Sequence, residues 1–406
     1  MDDEVMEHDE RSPRASIGRG DHGAAQSLLH DPRVAMWLAD DLQAETARTL
    51  VRMQSLADLQ RMAVMPDVHP SRSVCVGCVL GTQEVVYPEA IGGDIGCGMS
   101  AVRVQGIDVS HLTPSAARQA LVALGRRVAV MARPPRAEVP DEGPDATDLR
   151  DAGLRRLAAR LAPTQMGTLG RGNHFVEVQA DESGEVWIMA HSGSRGMGQA
   201  VAATYGRAAQ KEGVRSVLSG LRMGTASGQG YLADQEWCVR YAAANRRGLL
   251  HAATAALRAN VGGRAEWGTL IDAPHNFVRL ERYGEMAYLV HRKGAAPAAA
   301  GAMGLIPGSA GTFSVHVEGR GEARAMCSSS HGAGRVLSRG DAKRTLTLGD
   351  LRRQMGGVVY DEARAHSLRD EAPGAYRDLR VVLRAQRELV RAVRTLRPLV
   401  SFKAGG

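Results

Sequence analysis

Lysine is scarce in this chain of 406 residues, which has four, so arginine supplies nearly all of the positive charge. None of the four lies in a Lys-x-Asp-Gly sequence, which excludes the lysine nucleophile of many nucleotidyl transferases. The sequence also lacks Gly-x-x-x-x-Gly-Lys-Ser/Thr, which excludes a P-loop nucleotide site. If this protein forms a covalent nucleotide adduct, another kind of side chain must carry it.

Cysteine and long apolar runs are also in short supply. The five cysteines are an odd, sparse set, which is not typical of a disulfide framework. No apolar run approaches the ~18 residues of a membrane span. The N-terminus is polar and charged, unlike a signal peptide. The sequence therefore predicts a cytoplasmic protein with no membrane partner.

Glycine and arginine are abundant, whereas aromatic residues are few. There are 47 glycines against 4 Trp, 8 Tyr and 4 Phe, and the net charge is +7. Many glycines favour tight backbone turns near ligands. Guanidinium groups bind phosphate in a bidentate manner, which favours a polyanionic partner such as a nucleotide or RNA. A GC-rich coding genome would explain the arginine content equally well.

The order of patterns along the chain predicts an α+β fold. We expect a flexible tail over residues 1–27 and one large domain over 28–406, with mixed β-sheets around a central metal and nucleotide cleft and with flanking helices. Residues 42–62, 114–132 and most of 197–260 are predicted helices, and 133–150 a loop. Residues 64–104, 173–191 and 266–316 are predicted strands and turns. Arginines every three or four residues over 377–397 predict an amphipathic helix whose arginine face is solvated, or less favourably contacts RNA.

Polar residues lie among glycines in seven segments, where a core would need apolar side chains. In chain order they are Met65-Pro-Asp-Val-His69, Gly92-Gly-Asp-Ile-Gly-Cys-Gly98, Gly172-Asn-His-Phe175, His191-Ser-Gly-Ser-Arg-Gly196, Ala273-Pro-His-Asn276, Ile306-Pro-Gly-Ser309 and His331-Gly-Ala-Gly-Arg335. One such segment carries little information, but seven together indicate a functional site.

Asp94 and Cys97 lie in a loop with four glycines, which can bring a carboxylate and a thiolate to one point. His174, His191 and His275 each lie beside a predicted strand end or turn. This set could hold one metal ion, or two if the thiolate bridges them. Cysteine and histidine ligands favour zinc, while the carboxylate and open positions also suit manganese.

His331 lies between serines and glycines, where an imidazole could attack a phosphorus atom without crowding. Gly332 and Gly334 allow backbone N–H groups to approach phosphate oxygens. Arg335 and Arg339 could neutralise charge. The turn at residues 306–309, with Gly311 and Ser314 after it, is a second candidate nucleotide loop.

These segments resemble the RtcB-type RNA-splicing ligases. The matching motifs are MPDVHP, GGDIGCG, GNHFVE, HSGSRG, PHN, HRKGA, IPGSAGT, HGAGR and DEAPGAYRDL with a near-terminal lysine, in the family's order and over about residues 60–406. The resemblance implies an enzyme that uses GTP and manganese to join an RNA 3′-phosphate, or a 2′,3′-cyclic phosphate after its opening, to a 5′-hydroxyl end. RNA and GTP are therefore the implied partners, with an archease-like activator as a further one.

The resemblance also implies roles for individual residues. His331 would carry GMP as a phosphoramidate, and Asp94, Cys97, His174, His191 and His275 would hold two metal ions, with Cys97 bridging. The guanine nucleotide would be held by Asn173, His174, Phe175, Val176, Glu177, His275, Asn276, Pro307, Gly308, Ser309, Ala310, Ser314, His331, Gly332, Ala333, Gly334 and Lys403. Arg195, Arg335 and Arg339 are the candidates for the RNA terminal phosphate.

Several positions depart from the family pattern. Residues 71–73 read Ser-Arg-Ser where glycine is common, Ala310 replaces a methionine, and Ser330 replaces a cysteine. We also expect the chain to be shorter than a typical relative. These departures predict a divergent bacterial-type paralogue. Its substrate could be a particular broken RNA or a DNA end. Two other functions stay open: a metal-dependent phosphatase or phosphodiesterase without GTP, and an RNA-binding paralogue without ligase turnover.

Some polar residues have no supporting constellation. Cys75 and Cys78 form Cys-x-x-Cys without a second ligand pair, so we expect them to be buried rather than to bind zinc. Cys238 and Cys327 are expected to be structural. His291, with Arg292 and Lys293, is as consistent with an RNA path as with a structural role.

Overall fold

The computed structural model describes residues 22–133 and 143–403. Its helices are α1 (His22–His30), α2 (Ala44–Gln54), α3 (Pro88–Ile91), α4 (Pro114–Arg127), α5 (Ala152–Gln165), α6 (Gly196–Glu212), α7 (Ala226–Arg258), α8 (Arg339–Thr345), α9 (Leu348–Met355), α10 (Ala365–Leu368) and α11 (Leu379–Ala385). Short 3-10 turns cover Val109–His111, Ala146–Asp148, Ala323–Ala325, Glu362–Arg364, Arg369–Glu371 and Pro373–Ala375.

The strands carry most of the candidate site residues at or near their ends. They are β1 (Val34–Met36), β2 (Arg61–His69), β3 (Val76–Thr82), β4 (Val85–Val86), β5 (Gly98–Asp108), β6 (Phe175–Asp181), β7 (Glu185–Ser192), β8 (Val214–Arg215), β9 (Ser219–Arg222), β10 (Arg264–Pro274), β11 (Asn276–Tyr283), β12 (Met286–Lys293), β13 (Ala295–Pro297), β14 (Met303–Ile306), β15 (Ser314–Gly319), β16 (Ser328–Ser330) and β17 (Val390–Lys403).

Two large sheets form the frame. A seven-stranded sheet has the order β10-β5-β7-β6-β17-β15-β14, and a five-stranded sheet has the order β1-β2-β3-β12-β11. The β1–β2 pair is parallel and the remaining pairs of both sheets are antiparallel, so the five-stranded sheet is mixed. The predicted α+β class with mixed sheets is confirmed.

Helix α7 forms the centre of the molecule. It packs against β5, β7 and β10 on one side and against α4 and α6 on others. Its alanines and leucines, such as Leu249, Leu250 and Ala253, are completely buried with the apolar faces of β6 and β7. Small side chains let this helix approach the strands closely, and the loops at the strand ends therefore lie directly over it.

Most predicted elements agree with the structure, with shifted boundaries. The two strands over 173–191 are confirmed as β6 and β7, and the helix predicted at 114–132 is α4, which ends at Arg127. The helix predicted over 42–62 ends at Gln54, because residues from Arg61 onward pair with β3 instead. The helical region 197–260 contains α6 and α7, separated by the short strands β8 and β9.

The predicted C-terminal arginine helix over 377–397 is wrong. Only Leu379–Ala385 is helical, and Val390–Lys403 is a strand between β6 and β15. Pairing on both sides supplies two sets of backbone hydrogen bonds, and this tertiary contribution outweighs helix propensity. Within this strand, a register shift beside His316 adds one residue between Arg391 and Arg394.

Residues 1–21 of the predicted tail (1–27) lie outside the described residues. The remainder of that range belongs to α1, which begins at His22. Residues 134–142 of the predicted loop lie outside them as well. Among the helices of the described ranges, none combines the length and the apolar composition that crossing a bilayer requires.

Candidate active site

One end of the seven-stranded sheet collects the candidate residues. The antiparallel order brings the end of β10, the start of β5, the end of β7, the start of β6 and the end of β17 side by side. The register pairs His191 with Met99 and with Phe175, and pairs Phe175 with Lys403. Residues that are far apart in sequence thus meet because the strands that carry them begin or end at the same end of the sheet.

Five predicted metal ligands form a continuous set of close contacts at this end. Cys97 Sγ lies 3.2 Å from His191 Nε2 and 3.5 Å from His174 Nε2. His191 Nε2 lies 3.4 Å from His275 Nε2, and Asp94 Oδ2 lies 3.5 Å from His174 Nε2. Cys97, His174 and His191 are all buried and close enough together to hold one metal ion.

Burial acts on the protonation of several members of this cluster. Burial lowers the pKa of His191 and of His275 well below the ordinary value, so both imidazoles are uncharged. Burial and the Asp94 carboxylate raise the pKa of the Cys97 thiol well above its ordinary value. Neutral imidazoles are the form that binds metals, and a cation would displace the thiol proton.

Backbone carbonyls orient two of the imidazoles. His174 Nδ1 lies 2.9 Å from the Leu169 carbonyl oxygen, and His191 Nδ1 lies 3.3 Å from that of Asn173. Each contact leaves Nε2 turned towards the cluster, as in many metal sites. His275 Nδ1 is buried and has no hydrogen-bond partner among the described residues. A carboxylate, a thiol and three imidazoles are ligand types that fit a divalent transition metal.

His331 lies beside this cluster and against a buried carboxylate. Its ring centroid is 4.7 Å from that of His275. His331 Nδ1 lies 2.6 Å from Asp67 Oδ2, and the His331 backbone N–H donates to the same oxygen at 3.2 Å. Because a carboxylate next to Nδ1 favours a proton there, the Nε2 lone pair is left available. This arrangement suits the role of nucleophile that the sequence predicts for His331.

An irregularity in β2 brings Asp67 to this position. The register with β3 shifts between Val64 and His69, so the segment around Pro66 bulges out of the ladder. Proline cannot donate to a ladder, which favours such a bulge. Bulges near sites commonly redirect a side chain, and Asp67 is fully buried against His331. Gly294 has φ +62°, and a Cβ there would lie 3.2 Å from His331 Cε1.

A cavity of about 250 Å³ opens in front of His331. Many predicted nucleotide residues line it: Asn173, Phe175, Glu177, Pro307, Gly308, Ser309, Ala310, Ser314, His331, Gly332, Ala333, Gly334 and Lys403. His69, Met99, His191, Arg335, Arg339, Glu371 and Tyr376 complete the lining. The cavity thus extends from His331 to His191, which belongs to the cluster of predicted metal ligands.

Four residues predicted to hold the nucleotide lie elsewhere. His174 and His275 belong to the metal cluster. Val176 is completely buried on the opposite face of β6, because side chains alternate along a strand. Asn276 donates from Nδ2 to the Asp94 carbonyl at 3.2 Å and accepts from the Gly294 N–H at 2.7 Å. Its amide therefore joins the Asp94 loop to the segment beside His331.

The far side of the cavity contains two buried glutamates with opposite properties. Burial raises the pKa of Glu177 to about 7, against the lowering effect of hydrogen bonds from Ser401 and Gln179. Burial also acts to raise the pKa of Glu371, but Lys403 and Arg339 overcome it and lower that pKa to about 2. Glu371 is thus a fixed anion, while Glu177 changes charge near neutral pH.

Glu371 is the centre of a network of basic side chains. It contacts Lys403 Nζ, accepts from Arg339 at 2.7 Å and accepts from Tyr376 Oη at 2.7 Å. Arg335 donates to Tyr376 Oη at 3.0 Å and lies over its ring. The positive charges on this side of the cavity are therefore already paired in the protein.

The candidates for a terminal phosphate are divided by the structure. Arg335 and Arg339 line the cavity, whereas Arg195 is not among the cavity residues. Arg195 directly precedes α6 with φ 56° and donates from Nε to Thr168 Oγ1 at 3.2 Å. Of the two roles left open for His291, the structure favours the structural one, because buried His291 accepts the Tyr87 N–H at 3.0 Å. Arg292 is also buried and pairs with Glu281.

The cysteines outside the candidate site lie as expected for structural residues. Cys75, Cys78 and Cys238 are buried free thiols, and Cys327 is partly exposed with φ 44°. Burial raises the pKa of Cys75 to about 11. These thiols lie outside the metal cluster found in the described residues.

Sequence reasoning missed Asp67, Glu371 and Tyr376. Asp67 lies inside the quoted segment MPDVHP, and the other two lie inside DEAPGAYRDL. Their position inside motifs shared with the family could have identified them as candidate site residues. Their partners, however, are remote in sequence: Asp67 meets His331 across 264 positions.

Comparison with known proteins agrees with this geometry. The family model described as tRNA-splicing ligase RtcB matches residues 49–139 and 137–404. The RNA-splicing ligase RtcB of Escherichia coli is 36% identical over 400 residues, which cover 91% of this chain and 97% of that protein. That alignment therefore covers nearly the full length of both proteins.

More distant relatives have similar names. The RNA-splicing ligase RtcB of Mycobacterium tuberculosis is 29% identical over 447 residues, covering 87% of this chain and 99% of that protein. The tRNA-splicing ligase RtcB of Pyrococcus furiosus is 32% identical over 298 residues, covering 61% of this chain and 30% of that protein. The matched family model and the extent of these alignments show that this chain belongs to the RtcB family.

Proposed function

We propose that this protein is an RNA ligase that uses GTP and manganese to join an RNA 3′-phosphate or 2′,3′-cyclic phosphate to a 5′-hydroxyl end. The observation that carries the proposal is His331, which is held by a buried carboxylate, faces a cavity and lies beside a metal-ligand cluster. Its RtcB relatives, named RNA-splicing or tRNA-splicing ligases, support the RNA substrate.

Asp94, Cys97, His174, His191 and His275 are the residues that would hold the two Mn²⁺ ions. When bound, the ions would withdraw charge from phosphoryl oxygens and orient the displacement. The protein contributes preformed donor positions, because carbonyls already fix His174 and His191. It also contributes neutral imidazoles, which need no deprotonation.

In the first step, the His331 Nε2 lone pair attacks the α-phosphorus of GTP. The bond from that phosphorus to the bridging oxygen breaks, pyrophosphate leaves, and GMP stays bonded to Nε2. Asp67 keeps the ring oriented and stabilises the positive charge that develops on the imidazole. Gly332 and Gly334 leave room for backbone N–H groups to approach phosphate oxygens.

The base would lie towards Glu177, Ser314 and Lys403 at the far side of the cavity. An ionised Glu177 can accept hydrogen bonds from the N–H groups of guanine, which adenine cannot supply in the same pattern. The ring of Pro307 and the backbone of Ser309 would form one wall of the nucleotide cavity.

In the later steps, an oxygen of the RNA 3′-phosphate attacks the GMP phosphorus and the bond to Nε2 breaks. The 5′-hydroxyl oxygen then attacks the activated 3′-phosphorus, loses its proton, and GMP leaves. A 2′,3′-cyclic phosphate is opened by water to the 3′-phosphate before this sequence begins. Arg335 and Arg339 are the cavity-lining arginines proposed to contact the terminal phosphate.

Ligation of a labelled RNA with 3′-phosphate and 5′-hydroxyl ends, with GTP and Mn²⁺, tests this proposal. The wild-type protein should give joined product only with GTP, and His331→Ala should give none. His366→Ala, on an exposed surface, is the matched control and should ligate normally. Removal of the terminal phosphate without joining, with or without GTP, would favour the phosphatase alternative and contradict the proposal.

A further inference from the structure

A charged residue without an assigned role lies at the centre of the molecule. Arg246 is in the middle of α7, and its side chain has no exposed surface. Burying a guanidinium is costly unless every donor finds a partner. The partners of Arg246 therefore indicate what the charge is for.

Two of those partners are backbone carbonyls of the metal-ligand loops. Arg246 Nη1 donates to the Gly96 carbonyl at 2.8 Å and to the Ser192 carbonyl at 3.0 Å. Gly96 directly precedes Cys97, and Ser192 directly follows His191. The Arg246 Nη1 atom thus connects the loop that carries Cys97 to the end of β7, which carries His191.

The rest of the guanidinium is fixed to the sheet. Nε and Nη2 donate to the two Asp272 carboxylate oxygens at 2.8 and 2.9 Å, and Nε also donates to Ser100 Oγ at 3.0 Å. This bidentate pairing fixes the plane of the group. Nη1 is consequently held in one position relative to β5 and β10.

The neighbouring sequence leaves space for this arrangement. A Cβ on Gly98 would lie 3.0 Å from Arg246 Cζ and 2.7 Å from Pro274 Cα. Glycine at position 98 therefore lets β5 begin directly against the guanidinium. The close approach brings Cys97 over α7.

The preceding residue holds a third loop. Asn245 Nδ2 donates to Thr168 O at 3.1 Å, Ser192 Oγ at 3.0 Å and Gly193 O at 3.2 Å. Asn245 Oδ1 accepts from the Thr168 N–H at 3.0 Å. Thr168 precedes Leu169, whose carbonyl orients His174. Asn245 and Arg246 together therefore contact the loops beside Cys97, His174 and His191.

We propose that Asn245 and Arg246 are positioning residues for the metal centre. Their hydrogen bonds would fix the distances between the chain segments that carry Cys97, His174 and His191. This inference rests on the metal site of the proposed function. Removing the Arg246 contacts should let the loops separate, so that metal affinity falls while the fold is kept. Outer-sphere partners of metal ligands typically contribute about 10- to 100-fold in affinity.

Cobalt(II) titration of the metal-free full chain tests the proposal without GTP or RNA. Thiolate-to-cobalt absorption reports Cys97 as a ligand, and Cys97→Ser gives the baseline. Arg246→Lys keeps the charge, but a single nitrogen cannot reach both carbonyls and the carboxylate. We expect about 10- to 100-fold weaker binding and a shifted absorption band. Arg240→Lys, exposed on the same helix and paired with Asp148 at 3.2 Å, should match wild type.

The outcomes separate the two proposals. If wild type shows no thiolate–cobalt absorption, the proposed metal site itself fails. If wild type binds cobalt and folded Arg246→Lys binds it with the same affinity and spectrum, the positioning role is overturned alone. Should Arg246→Lys fail to fold, Asp272→Asn is used instead, because it weakens the pairing that holds the Arg246 guanidinium in place. Weaker cobalt binding by this variant would support the positioning role, and unchanged binding would overturn it.

Discussion

The two sides of the cavity organise charge in opposite ways. On the side of the proposed metal centre, three imidazoles and a thiol converge with the Asp94 carboxylate, and two imidazole nitrogens face each other at 3.4 Å. On the other side, Glu371 already has Lys403, Arg339 and Tyr376 as partners. The first group of side chains would be joined by a bound cation. In the second group the charges are already paired, so the proposed nucleotide would have to exchange existing contacts for new ones.

This contrast predicts different consequences for substitutions. Changes on the metal side should remove activity together with metal, because nothing else in the cluster can replace a lost ligand. Changes in the Glu371 network should mainly alter nucleotide binding, since neighbouring groups still cover the base and phosphates. His331 and Asp67 lie between the two sides and should affect the chemical step alone.

The largest effect is expected for Cys97→Ala. The sulfur contacts His174 and His191, so its loss removes the shared ligand of the cluster. We expect ligation to fall by more than about 100-fold, with metal content falling in parallel. Metal analysis of the purified variant measures this, and Cys327→Ala, outside the cluster, is the control. Full metal occupancy in Cys97→Ala would contradict the bridging position.

Asp67→Asn should slow guanylylation while leaving metal and GTP binding intact. The amide keeps the shape of the carboxylate but does not favour the Nδ1 proton of His331. A comparable change in another nucleophilic site costs about 10⁴-fold, and we expect a loss on the order of 10²–10⁴-fold. Single-turnover formation of the GMP adduct measures the rate. Asp181→Asn, a buried carboxylate paired with Arg394, should leave that rate unchanged.

Glu371→Gln should act on GTP binding rather than on the chemical step. Lys403 and Arg339 lose their shared anion and move from the positions that line the cavity. A charge-assisted hydrogen bond contributes about 1.5–3 kcal/mol, so KM for GTP should rise about tenfold or more with kcat little changed. Glu236→Gln, in an exposed pair with Arg279, is the control. A fall in kcat at constant KM would contradict the separation of the two sides.

The smallest effect is a pH dependence of GTP affinity. Because burial raises the pKa of Glu177 to about 7, the carboxylate becomes protonated as pH falls through that value. The protonated form accepts guanine N–H groups poorly, so affinity should be full above pH 7 and decline below it. Equilibrium binding of GTP from pH 6 to 8 measures this. Glu177→Gln should bind weakly without that slope, and an equal slope in the variant would assign it to another group.

The site was more predictable from the sequence than several of the elements that hold it. Asp94, Cys97, His174, His191 and His275 could be chosen from glycine-flanked polar segments, and they do lie together. Their meeting point could not be derived from spacing, because it depends on five strand ends aligning in one sheet.

The failures have physical causes. The arginines of β17 recur every three residues, a spacing that a periodicity argument interprets as a helix, although the segment pairs with strands on both sides. Val176 was grouped with its neighbours in the sequence, and alternation along β6 turns its side chain to the opposite face. Asn245 and Arg246 lie in an alanine-rich helix rather than in a glycine-rich turn, so their contacts became visible only in three dimensions.

Mass spectrometry of the protein after incubation with GTP and Mn²⁺ tests the central claim most directly. We predict one GMP on the peptide that contains His331, lost on mild acid treatment and absent from His331→Ala. GMP on any other residue, or an adduct that persists in His331→Ala, would contradict the assignment of His331 as the nucleophile.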